Sequence, residues 1–204
     1  MQWREPDNKS TWKSPETGNW TATCIRVIDL GTQVNDYEES NGKKKQRRQC
    51  LIVWELPDQL DDDGRPMTIS NVYTASLGEL ATLRAHLESW RGRAFTPEEL
   101  KGFDSKNIIG KSCLLNLIEV QKKKGPRVVV TSISALPKGM PAPPAPVNDS
   151  YSYSVDEHDP AVWDKLSDGI KAWIGRSVQH QSGTVSVPQS QPAAPSYSAD
   201  EIPF

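Results

Sequence analysis

The sequence predicts an all-β domain with added helices, and three observations lead to this fold class. Five segments are rich in β-branched and other apolar residues and are bounded by Gly, Pro or polar loops, a pattern typical of strands. Between the third and the fourth lies a segment with the three- and four-residue apolar spacing of an amphipathic helix. After residue 138 the composition turns rich in Pro, Ser and Gln. Five strands with a helix between the third and the fourth are the chain order of an OB-fold barrel.

The five strands are expected where the apolar runs are densest. Some of these runs are apolar on both faces, as expected where a barrel interior lies on one side and helices cover part of the other. The predicted strands cover residues 20–30, 47–56, 67–74, 112–120 and 127–136.

The strongest helix prediction covers residues 76–90. Its apolar stripe consists of Leu77, Leu80, Leu83, Leu87 and Trp90. Ser76 and Glu79 have the spacing of a capping box, and Gly92 follows where a helix stop is expected. A second, short helix is expected to begin at Thr96 and Pro97.

Composition and charge divide the chain into segments. Residues 16–138 carry 18 basic and 16 acidic side chains, whereas residues 139–204 carry 3 and 8, so a mildly basic body precedes an acidic tail. The predicted segments are an N-terminal arm (1–18), the OB-fold domain (19–138), a Pro-rich linker (139–158), an amphipathic helix (159–175) and a disordered tail (176–204).

The helix predicted over residues 159–175 carries Trp163 and Trp173 on its apolar face, together with Leu166, Ile170 and Ile174. These side chains cannot all remain in water. Two alternatives stay open: the stripe packs on its own barrel, or it binds a groove of another protein or of a second copy of the chain.

Several classes of protein are disfavoured by what the sequence lacks. The first residues have no apolar signal-peptide core, and no apolar run approaches the ~18 residues of a membrane span. Cys24, Cys50 and Cys113 are isolated and show no metal or disulfide pattern. The three histidines are scattered, so no catalytic residue, cofactor or metal is expected. We expect a non-enzymatic protein of the cytoplasm without membrane contact.

Two basic clusters are the candidate phosphate contacts. In the five-strand reading they occupy the loops between strands one and two and between strands four and five, which flank the binding face of an OB barrel. Positive charge along this path would neutralise phosphates and release counterions. The alternative is a pair of solvated hairpin tips. The clusters consist of Lys43, Lys44, Lys45, Arg47 and Arg48, and of Lys122, Lys123, Lys124 and Arg127.

Binding of single strands without sequence preference also requires side chains on which bases stack. Trp20, Tyr37, Trp54 and Tyr73 lie in or beside the first three strands, and we expect at least one of Trp54 and Tyr73 to serve. The alternative for each is a place in the core. Arg26 lies between apolar neighbours in strand one and is expected on the open face, where it would meet a phosphate or a base.

The last five residues, Asp200, Glu201, Ile202, Pro203 and Phe204, resemble the acidic Asp-Asp-Ile-Pro-Phe tip of bacterial-type single-stranded DNA-binding proteins. The body resembles, more loosely, single-stranded DNA-binding and replication-associated proteins of phages. The resemblance implies a barrel that coats single-stranded DNA during replication, recombination or repair in a bacterial host cell. It also implies a tip that recruits host or phage enzymes.

Whether the chain forms a homo-oligomer is not decided by the resemblance. The alternative function is an OB-like adaptor that binds protein, with a tip that mimics the host protein and competes for its partners.

Overall fold

A computed structural model of the chain describes residues 13–38, 44–122 and 125–182. Most of the described structure is β. The strands are β1 (Gly18–Glu38), β2 (Lys44–Leu60), β3 (Pro66–Thr74), β4 (Ser112–Lys122), β5 (Gly125–Ser134) and β6 (Tyr151–Tyr153). The helices are α1 (Thr82–Arg91), α2 (Pro97–Lys101), α3 (Pro160–Lys165), α4 (Asp168–Gly175) and α5 (Val178–Gln181), with a 3₁₀ turn over Ser105–Ile108.

The strands form one sheet in the order β3-β2-β1-β4-β5, and all neighbours on this path are antiparallel. The short β6 pairs in parallel with β1. The five predicted strands are all present, with a helix between the third and the fourth as expected, and β6 is a sixth strand that the sequence did not predict. The sheet is open, because its end strands β3 and β5 share no ladder within the described residues, although their Cα atoms come within 8 Å of each other.

Strand β1 is the centre of the sheet and changes partners along its length. Its first residues, Gly18 to Thr23, pair with β4, and Thr23 to Glu38 pair with β2. A bulge between Cys24 and Arg26 lies where the partner changes. Bulges bend a strand and increase its twist, so one long strand can take part in both halves of a curved sheet.

Apolar side chains cover both faces of β1 and β2, and they form two separate cores. The inner core lies under α1 and contains Trp54, Leu56, Leu115, Leu87 and Trp90 among others. The outer core contains Ile28, Leu30, Leu51 and Val53, and residues from the C-terminal part of the chain complete it. This explains why both alternating sets of side chains in β1 and β2 are apolar.

Helix α1 begins later than the sequence predicted. Its N-cap is Ala81, and the predicted capping box of Ser76 and Glu79 does not form. Instead the Ser76 hydroxyl accepts a bond from the Gly78 N–H at 3.2 Å, within a turn that Ala81 closes by donating to the Gly78 carbonyl. Leu80 precedes the helix and is fully exposed, so its predicted place in the buried stripe is wrong.

The other end of α1 and the start of α2 follow the sequence. Gly92 ends α1 in the left-handed conformation, with φ of 70°. At α2 the Thr96 side chain accepts from the Glu99 N–H while Glu99 reaches back to the Thr96 N–H, a capping box with Pro97 at the first helical position.

Residues 147–182, here called the strap, run back over the outer face of β1 and β2. The backbone N–H groups of Val147 and Asn148 and the Asn148 side chain donate to the buried carboxylate of Glu55, at 2.7–3.1 Å. Residues 151–153 then form β6 along β1. The Pro-rich segment therefore leads into the domain again and is anchored on it.

The amphipathic pattern at residues 159–175 forms two helices, α3 and α4. The chain turns at Leu166, and Ser167 caps α4 by accepting from the Ile170 N–H. Leu166, Ile170, Trp173 and Ile174 are all buried in the outer core. Of the two alternatives for this stripe, packing on the chain's own sheet is the one that the structure shows. Among the described residues, no helix has the length and apolarity to cross a membrane.

Candidate nucleic-acid interface

The first basic cluster lies on a two-stranded arm that extends beyond the rest of the sheet. Gln49 of β2 pairs with Thr74, the last residue of β3, and the Ala75 N–H donates to the Arg48 carbonyl at 2.8 Å, so residues 44–47 have β1 as their only strand partner in the described structure. Lys44 and Arg47 are exposed and Lys45 is half-buried. We call this feature, residues 31–38 and 44–48, the basic arm. Lys43 lies outside the described residues.

Arg48 does not belong to the exposed cluster, which corrects its predicted role. Its guanidinium forms ion pairs with Asp29 and with Asp156 of the strap. The hydrogen bonds to Asp29, followed by those to Asp156, raise the pKa of Arg48 even above its usual value. The Val155 N–H also donates to Asp29 at 3.3 Å. Arg48 therefore fastens the strap to the root of the arm.

The second basic cluster lies at the tip of the β4–β5 hairpin. Lys122 is exposed and Arg127 is half-buried, while Lys123 and Lys124 lie outside the described residues. Because Gly18 pairs with Leu117, this hairpin extends past the beginning of β1, whereas the basic arm contains its end. The two clusters are therefore at opposite ends of the longest strand.

Neither of the predicted stacking residues is available, and this prediction is wrong. Trp54 is 0% exposed and lies beside Trp90 in the inner core, with ring centroids 6.3 Å apart. Tyr73 is 3% exposed, and its hydroxyl contacts His86 Nδ1 at 3.0 Å. Both side chains point into the inner core. For Trp54 the sequence does not reveal this, because β2 has apolar residues in both phases. Tyr73 lies on β3, where it shares the buried face with Met67 and Ile69.

The predicted position of Arg26 on an open face is also wrong, because the strap covers that face. Its Nε donates to the Asp149 carbonyl at 3.2 Å, and its guanidinium lies 5.1 Å from the centroid of the Tyr151 ring. The cation therefore holds the start of β6. Trp20 is half-buried and donates from Nε1 to the Glu16 carbonyl at 3.0 Å. The Tyr37 side chain lies outside the described residues.

The residues predicted to contact a partner protein differ in how far the structure buries them. Trp173 is buried in the outer core, so it is not free to bind another protein. Trp163 is half-buried against Tyr153 and His158, with ring centroids 5.6 Å from each. The C-terminal tip, Asp200 to Phe204, lies outside the described residues.

A cavity that the sequence did not predict lies at the root of the basic arm. Its volume is about 740 Å³, and it lies between the end of β3, the turn before α1 and the first residues of that helix. No motif marks it, and the prediction of Leu80 as a buried residue concealed it. The lining consists of Arg47, Asn71, Val72, Tyr73, Thr74, Ser76, Gly78, Glu79, Leu80, Ala81, Thr82 and Leu83.

The cavity combines one cation with neutral polar groups and apolar surface. Arg47 has no carboxylate within ion-pair distance in the part of the chain that the structure describes, in contrast to the neighbouring Arg48. Hydroxyl and amide side chains come from Asn71, Thr74 and Ser76. Glu79 is the acidic residue of the lining and is exposed. Such a set can bind a phosphate next to a flat polar ring.

The cysteines do not form a reactive or metal-binding site. Cys24 and Cys113 are fully buried, and burial raises the pKa of Cys24, like that of Cys50, to about 12. A thiol with so high a pKa is a poor nucleophile at neutral pH. Within the described ranges, no group of three His, Cys, Asp or Glu side chains is placed to hold a metal ion.

No protein-family model matches the chain, and no curated protein matches it significantly.

Proposed function

We propose that this chain is a non-enzymatic single-stranded DNA-binding protein of phage or mobile-element replication or recombination, and that its sheet is an OB-fold barrel. The observation that carries the proposal is the strand order β3-β2-β1-β4-β5 with a helix between β3 and β4. In an OB fold this path closes by contact between the third and the fifth strand. The approach of β3 to β5 within 8 Å is in keeping with such a partly open barrel.

The placement of charge supports the same proposal. The basic arm and the β4–β5 hairpin are the connections that flank an OB binding face. Lys44, Arg47 and Lys122 are exposed on them. Exposed cations along a path attract a phosphate backbone whatever its sequence. Because Trp54 and Tyr73 are buried, we expect phosphate contacts to supply most of the affinity.

The test is a titration of fluorescent oligo-dT at several salt concentrations. Replacement of Lys43, Lys44 and Lys45 by Ala should weaken binding and make the salt slope shallower by up to about 2, because each lost phosphate contact removes ~0.7 for a single strand. Replacement of Lys122, Lys123 and Lys124 should have the same effect.

A matched control removes the same charge elsewhere. Lys101, Lys111 and Lys138 are exposed and lie outside both clusters, and their triple replacement by Ala should leave the slope unchanged. Equal slopes in all three triple variants would contradict the proposed path. An absence of oligo-dT binding at low salt would contradict the function itself.

The tail separates this proposal from the adaptor alternative. Deletion of residues 200–204 should leave oligonucleotide affinity intact, or raise it slightly by removing acid that competes for the arm. We expect the same deletion to abolish binding to enzymes that recognise a peptide ending in Asp-Asp-Ile-Pro-Phe. Competition anisotropy with that peptide measures the effect, and Phe204→Ala should reproduce most of the loss. Tip binding without any oligonucleotide binding would favour the adaptor.

A further inference from the structure

Bases of a bound strand cannot lie on the outer face of β1 and β2. Ile28, Leu30, Leu51 and Val53 of that face are at most 3% exposed, because the strap covers them. The strap is held by the bonds to Glu55 and by the Arg48 ion pairs, so it is an integral part of the domain. A strand that contacts the basic arm must therefore place its bases elsewhere.

We propose that the cavity at the root of the basic arm binds one unstacked nucleotide of the bound strand. Arg47 would contact its phosphate and Asn71 the edge of its base. This inference rests on the proposed function, since it concerns the same ligand. The volume of about 740 Å³ lies within the ~300–1,000 Å³ typical of small-molecule sites.

Arg47 is suited to the phosphate because it forms no ion pair with any of the described residues. It is exposed, lies on the arm and lines the cavity, so it joins the backbone path to the cavity. Its neighbour Arg48 alternates to the other side of β2 and is neutralised by Asp29 and Asp156. A guanidinium presents a planar fork that matches phosphate oxygens.

Asn71 is suited to the base because its amide has both donors and an acceptor. Asn71 lines the cavity two residues before Tyr73, whose hydroxyl contacts His86 Nδ1 at 3.0 Å. Burial lowers the pKa of His86, which favours the neutral imidazole beside Tyr73.

Leu80 gives the cavity an apolar wall and belongs to neither core of the described structure. Its side chain is 101% exposed, whereas the two leucines of the helix that follows, Leu83 and Leu87, are buried. An aliphatic side chain beside a polar groove can cover the face of a base, as aromatic side chains do in other single-strand sites.

The experiment places a fluorophore at this wall. Leu80→Cys is made in a Cys50→Ser background, since Cys50 is only partly buried, and is labelled with an environment-sensitive maleimide. The two buried thiols, Cys24 and Cys113, should not compete. Leu60→Cys is the matched control, because Leu60 is an exposed leucine at the opposite end of β2. On addition of unlabelled oligo-dT, the dye at position 80 should respond and the dye at position 60 should not.

Two unlabelled variants test the chemistry by oligo-dT anisotropy. Arg47→Ala should weaken binding by about tenfold, the equivalent of one charged hydrogen bond. Glu79→Gln should strengthen it, because an exposed carboxylate no longer repels the phosphate. Thermal melting of both variants checks that the fold is kept, and the opposite signs of the two effects cannot come from a loss of stability.

The outcomes separate this inference from the function on which it rests. Oligo-dT binding with a silent dye at position 80 and wild-type affinity in both variants would overturn the cavity assignment and leave the proposed function standing. A failure of wild-type protein to bind oligo-dT would overturn both. A response of the dye to the acidic tip peptide alone would assign the cavity to protein and also overturn the inference.

Discussion

Replacement of Trp173 by Ala tests whether the strap is part of the folded domain. Trp173 is 6% exposed and packs in the outer core with Ile170, Ile174 and the outer face of β1. Truncation of a buried Trp costs about 3–5 kcal/mol, because apolar burial is lost and a cavity remains. For a chain of this size each kcal/mol lowers Tm by about 2–4 °C, so we expect a decrease of roughly 6–20 °C.

The assay is thermal unfolding followed by circular dichroism, with Leu80→Ala as the matched control. Leu80 is fully exposed, so its truncation should change stability by no more than ~0.5 kcal/mol. Oligonucleotide affinity well below Tm should be unchanged in Trp173→Ala. A Tm within about 2 °C of the wild type would refute the packing described above, and Trp173 would again be a candidate contact for a partner protein.

Two further predictions concern buried polar groups. Glu55→Leu should lower the free energy of unfolding by about 1–3 kcal/mol in urea titration, because the N–H groups of Val147 and Asn148 lose their acceptor; an unchanged midpoint would mean that water replaces the carboxylate. The thiols should fail to react with Ellman's reagent at pH 8 in the folded protein, since burial raises the pKa of Cys24 and Cys50 to about 12. Unfolded thiols ionise near pH 8.5, so the contribution of the buried thiols to the free energy of unfolding should be fully present below that pH and should fall as pH rises toward 12. Rapid reaction of the native protein with the reagent would contradict this burial.

The strands could be predicted because their signal is local. Apolar, β-branched runs such as that in β4 have the composition of a strand wherever they occur. The ends of β1 and β2 next to their connection, residues 31–38 and 44–46, were not predicted, since they are mostly polar and their strand pairing is confined to the β1–β2 ladder. Their strand conformation depends on the hairpin that joins them and not on an alternating pattern.

The candidate site was harder to predict because it depends on which face of each element is covered. Arg26 and at least one of Trp54 and Tyr73 were expected on an open surface, whereas the inner core or the strap covers all three. The strap itself has the composition of a linker, and its anchor, Glu55, lies 92 positions before Val147. No window of sequence contains both partners of such a contact.

The strap also determines when the outer face of β1 can be covered during synthesis, because the residues that cover it are made last. Arg26 and Asp149 are 123 positions apart, and Thr32 and Gln179 are 147 apart. At ~5–20 residues per second a ribosome needs roughly 6–25 s to produce the first of these segments. Throughout that interval Ile28, Leu30, Leu51 and Val53 remain exposed on the β1–β2 hairpin. Incomplete chains that stop before residue 150 therefore present an apolar strand surface, and we expect them to aggregate or to be retained by chaperones.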